Sequence, residues 1–78
     1  MCAMRTNPTA TTQRTAAHVR GLIASRNLSR AEVAAAIGMS EAAFGRRVRG
    51  QIPFNVDEVE KLAILFGVPA SRFLEEVA

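Results

Sequence analysis

An all-α fold is what this chain predicts, and three observations carry the prediction. Apolar residues recur at helical spacing in every segment after residue 11, no segment alternates polar and apolar as a strand does, and the boundaries carry helix-start and helix-stop residues. With 49% hydrophobic residues, four Phe and no Trp or Tyr, the core is expected to be aliphatic. Seventy-eight residues allow one domain, near the size at which a single core is only just sufficient. A compact five-helix arrangement follows, element by element.

Residues 1–11 are Thr-rich, contain Asn7-Pro8 and show no periodicity, so they read as a flexible N-terminal arm, with residues 12–78 as the domain. Arg5 and Arg14 give this end of the chain some affinity for phosphate. The first helix is expected from about Thr12 to Arg26, with Thr12, Ala16, Val19, Leu22 and Ile23 inward and Asn27 as its stop. His18 lies off that face and reads as an ordinary exposed histidine. Ser29 starts the second helix, and Glu32 completes a capping box in which each side chain bonds the other's backbone N–H. Val33 and Ile37 form its buried edge, and Gly38 ends it. Ser40 caps a third helix that runs to about Arg49 and stops at Gly50. After the loop at residues 51–54, Asn55 caps a fourth helix whose apolar stripe is Val56, Val59, Leu62, Ala63 and Phe66, closed by Gly67. Pro69 fits the first turn of a fifth helix, where its missing N–H costs nothing, and Phe73 and Val77 turn inward.

The second and third helices are the informative pair. Ala34, a small residue four positions before Gly38, permits close approach and a sharp turn, and three arginines crowd the helix after the turn. That is the pattern of a helix-turn-helix whose second helix enters the DNA major groove. On a helical wheel Phe44 and Val48 point into the core, while Ala42, Gly45, Arg46 and Arg49 share the opposite face. Small residues let the backbone press into a groove, and long ones reach base edges from there. Arg46 is the first choice for reading a base, because guanidinium pairs bidentately with guanine O6 and N7. Ala42 or Ala43 can touch a thymine methyl. Glu41 either accepts from a cytosine amino group or simply favours the positive helix N-terminus. Arg49 suits a phosphate or a base. Arg47 lies only about 60° from Phe44 around the helix, so pairing with an acidic neighbour competes with a DNA-backbone contact. Arg30, at the start of the second helix, opposes the helix dipole unless a phosphate sits there. Gln51 and Asn55 flank the loop and can bond a phosphate, with capping the competing role for Asn55.

Charge supports the same reading. Residues 1–54 hold eight Arg against two Glu, a net +6, and residues 55–78 hold Lys61 and Arg72 against five acids, a net −3. The positive part contains the reading helix, as a footprint for phosphate requires. Cys2 is the only cysteine, which fits a reducing compartment. No apolar run approaches 18 residues and no secretory signal pattern is present, so a cytoplasmic, soluble protein without membrane contact is expected. One His and one Cys leave no catalytic set, and neither a phosphate-cradling Gly loop nor a metal-spaced cluster is present. The expectation is therefore a non-enzyme with no metal, cofactor or small-molecule ligand.

The segment LSRAEVAAAIGMSEAAFGRRVRG, followed by PFNVDEVEKLAILFGVPASRFLEE, resembles the Cro/repressor-type (lambda-repressor-like, Xre) helix-turn-helix family. The resemblance covers about Thr12 to Glu76 and includes the recurrent LFGVP junction. It implies a five-helix domain that binds double-stranded operator DNA as a homodimer on a two-fold site, in the manner of a minimal phage or prophage regulator. The family's base-reading positions fall on Ser40, Glu41, Ala42, Gly45, Arg46 and Arg49, and its phosphate contact on Arg30. One departure is Arg47, where the family commonly has an apolar residue three places after the Phe44 position.

A second class of function competes, an antitoxin-type protein-interaction module that also autoregulates. Ile64 falls on the otherwise polar Asp57–Glu60–Lys61 face, and Leu74 lies off the main stripe of the last helix. Both can form a dimer seam or a partner surface, or simply pack against each other.

Overall fold

In this computed structural model residues 9–75 are described. They form α1 (Ala10–Ser25), α2 (Arg30–Ala36), α3 (Glu41–Val48), α4 (Val56–Phe66) and a 3-10 turn, Ala70–Leu74, with no strand among the described residues. The all-α class holds, with four α-helices and a 3-10 turn where a fifth helix was expected.

Local chemistry sets each boundary. Ser29 and Asn55 both head complete capping boxes: Glu32 N–H donates to Ser29 Oγ (3.0 Å) and Ser29 N–H to Glu32 Oε1 (2.8 Å), with the same exchange between Asn55 and Glu58. All four α-helices close alike, the N–H groups of two residues past the end folding back onto free carbonyls at Asn27-Leu28, Gly38-Met39, Gly50-Gln51 and Gly67-Val68. At Gly38 the backbone takes φ +74°, so glycine is what lets α2 stop and α3 begin three residues later.

Five expectations need correction. The first helix begins at Ala10, not Thr12, because Thr9 Oγ1 caps it by accepting from Thr12 N–H at 3.1 Å. The expected arm thus loses its last residues to the helix; its remainder, with Arg5, lies outside the described residues, as does Val77. Val56 is not on the buried stripe: it stands at the start of α4 and is 82% exposed. The final segment winds as 3-10, and carbonyls at its end are taken by α1. Thr15 Oγ1 donates to the Phe73 carbonyl at 3.0 Å, and His18 Nε2 donates to that of Glu75 at 2.7 Å. His18 is consequently half-buried and structural, and not the free exposed side chain the sequence suggested. Pro69 precedes this turn as its cap and does not sit inside it.

The core joins all five elements. Val19 and Ile23 of α1, Val33 and Ala34 of α2, Phe44 and Val48 of α3, and Leu62 and Phe66 of α4 are buried around Phe73. Phe54, from the loop before α4, packs edge-on to Phe44 with ring centroids 6.0 Å apart. Seating Phe44 and Val48 in this core orients α3, and so decides which of its residues face outward.

Candidate nucleic-acid interface

α3 is held at both ends and along one side. At its start, Ser40 Oγ accepts from Ala43 N–H at 3.2 Å. Along its flank, Arg47 bonds the Ala43 carbonyl at 3.0 Å and brings Nε to 3.3 Å from Glu58 Oε1. The second contact is an ion pair without hydrogen-bond alignment. Both side chains are mostly buried, at 22% and 15% exposure, so the pair is shielded more than a surface bridge. Glu58 is itself locked, since Oε1 also accepts from Asn55 N–H. Arg47 thus ties α3 to α4, the scaffold side of the competition its place on the helix set up.

At its far end α3 is tied to α1. Arg20 Nη1 donates to the Val48 carbonyl at 2.8 Å, and Gln13 Nε2 donates to the Gly50 carbonyl at 2.9 Å. Helix-terminal carbonyls lack partners of their own, and a cationic donor there also complements the helix dipole. The sequence gives no hint of these two residues. Their partners lie 28 and 37 residues away, and neither belongs to a motif.

The outward residues follow from this seating. Ser40, Glu41, Ala42, Arg46 and Arg49 are exposed, and Ala43 is half-buried. The Arg46 guanidinium makes no hydrogen bond or ion pair among the described residues. Gly45 is different: it is buried, because the Arg49 guanidinium folds back over it. A Cβ built on Gly45 would lie 3.2 Å from Arg49 Nη1. The gap expected on this face is thus capped by the next long side chain, and only a swing of Arg49 opens it.

Around α3, Arg30 is exposed at the first position of α2, whose N-terminus is already served by the Ser29 box. Gln51 is exposed in the loop after α3. Asn55 spends its oxygen on the Glu58 N–H at 2.7 Å, so capping is its role and only its amide nitrogen is left for a further contact. Ile64 and Leu74 are 73% and 55% exposed, and with Val56, Val59 and Ala63 they line an open, largely apolar groove of about 900 Å³ between α4, the start of α1 and the 3-10 turn. No helix among the described residues is long and apolar enough to cross a membrane.

The candidate interface is thus a short capped helix after a tight turn, pinned on three sides and presenting arginine outward. No curated protein and no solved structure matches the chain. A family model does, that of the BetR domain, over residues 10–78, which takes in every element just described. The chain belongs to the BetR domain family, small helical domains related to helix-turn-helix regulators.

Proposed function

We propose that this chain is a sequence-specific, DNA-binding transcriptional regulator of the Cro or small-repressor type. α3 enters the major groove, Arg46 reads a base edge, and Ser40, Glu41, Ala42 and Arg49 complete the reading face. Gly45 joins that face only when Arg49 extends toward DNA. Arg30 and Gln51 contact phosphates on either side, with the Asn55 amide as a further donor. The observation that carries this reading is the state of Arg46, an exposed guanidinium with no protein partner among the described residues on a helix otherwise fixed at every side. Regulation is by occupancy, without catalysis or cofactor: a covered promoter is not transcribed. Two copies bind together, with Ile64 and Leu74 at their seam and reading helices about 34 Å apart on successive turns of one DNA face.

Footprinting on the intergenic DNA upstream of the chain's own gene, across a salt series, tests this. A discrete two-fold footprint is expected, weakening as salt rises because each neutralised phosphate releases counterion. Arg46→Ala should weaken site binding by ~1–3 kcal/mol, the discrimination of one bidentate base contact, while the unfolding midpoint stays put. Uniform coating unaffected by Arg46→Ala would sink the proposal.

The apolar groove favours a second reading, an antitoxin-type module that captures a protein partner and also autoregulates. It requires Ile64→Asp to abolish partner capture while leaving DNA affinity per subunit unchanged.

A further inference from the structure

Resting on the DNA-binding reading above, we infer that Gln13 and Arg20 are positioning residues for α3, setting the angle at which Arg46 and Arg49 meet the groove. The two stand seven residues apart on α1, two helical turns along one face. From that face they reach the carbonyls of Gly50 and Val48, on either side of the C-terminal cap of α3. Both side chains are exposed and lend the core no apolar area. What they supply is orientation.

The need for it lies in how α3 is seated. Phe44 and Val48 are fully buried, so the helix cannot leave the core, but two apolar anchors on one side leave rotation about their line weakly restrained. The Arg47–Glu58 pair resists that rotation from the α4 side. The Arg20 and Gln13 bonds resist it at the exit, next to Arg49 and one turn from Arg46. Arg20 adds charge to its bond, which makes it the stronger of the two. Gly50 is shaped to the Gln13 amide: a Cβ there would lie 2.5 Å from Gln13 Oε1, so any side chain at residue 50 expels the clamp. Base readout depends on sub-ångström placement of a planar fork, whereas phosphate attraction tolerates a few degrees of tilt. Loss of the clamp should therefore strike sequence preference and spare general affinity.

The experiment uses the full chain and two duplexes, one selected by the wild-type protein from a random-sequence pool and one with that sequence scrambled. Affinities of Gln13→Ala, Arg20→Ala and Arg20→Lys are measured on both duplexes across a salt series, with folding checked by circular dichroism. The alanine variants should lose roughly 5- to 150-fold in preference for the selected duplex, the span of one misaligned bidentate contact. Their scrambled-duplex affinity and salt slope should match wild type, and Arg20→Lys, which keeps a charged donor, should retain most of the preference. Should Arg20→Ala not fold, Gln13→Ala carries the test alone, since its exposed amide packs no core. Undiminished preference in the alanine variants overturns the inference. So does an equal loss on both duplexes with a salt slope lower by about one, which would make Arg20 a phosphate contact. If the wild-type protein selects no sequence at all, the regulator reading itself falls, a result distinct from either.

Discussion

α3 and α4 are built to one plan and end in opposite conditions. Each starts from a polar cap, Ser40 or Asn55, and closes at a left-handed glycine, Gly50 or Gly67. α3 then exposes arginine and alanine, with each of its buried side chains seated and its exit bonded to α1. α4 seats Leu62, Ala63 and Phe66 but leaves Val56 and Ile64 in solvent beside an open groove. The contrast teaches that rigidity and exposure are distributed separately. A helix that presents long cations can be fixed from all other sides, because its outward face needs water or an anion. A helix that presents apolar groups at 82% and 73% exposure is the one on which the proposed self-association rests.

Three substitutions sharpen that contrast, the largest effect first. Phe44→Ala removes a fully buried ring that both anchors α3 and meets Phe54. It should cost about 3–5 kcal/mol, a large part of the stability of so small a domain, read from urea unfolding. A loss below about 1 kcal/mol would mean the seating of α3 is wrong. Gly50→Ala combines φ +82° with a clash against Gln13, and more than about 1 kcal/mol of destabilisation is expected. A neutral outcome would break the claim that the α3 exit is tightly held. Ile64→Asp should move unfolding free energy by no more than about 0.5 kcal/mol, because the side chain is already in solvent. The same variant should shift concentration-dependent self-association in sedimentation; no shift would empty α4 of its assigned seam.

What the sequence made legible divides along the same line. The Ser29 capping box, the Asn55 cap and all four helix stops were readable, because each is settled by residues close in the chain. The wheel placed Phe44 and Val48 inward and Arg46 outward correctly. It failed at Gly45, because a wheel assigns directions to Cβ atoms and says nothing of where the Arg49 guanidinium comes to rest. It failed at Val56 because the stripe was extended one turn beyond the end that touches the core. Arg47 was readable only as a competition, and in the fold it pairs with a Glu58 that its own capping box had already aimed. The 3-10 turn, His18, Gln13 and Arg20 were hidden for one shared reason: their partners are decided by the completed fold.

The bonds from α1 bear on the order of assembly. Thr15 and His18 find their acceptors 58 and 57 residues downstream, at Phe73 and Glu75. The helix synthesised earliest in this domain is thus completed by the segment synthesised last, and closing so long a loop is entropically slow. A nascent chain cut before Phe73 would hold the paired α2 and α3 while α1 and α4 still lack the segment that packs on both. In such a chain α3 already has its ties to Gln13, Arg20 and Glu58, so what arrives in the final steps of folding is the closing of the 3-10 turn onto α1.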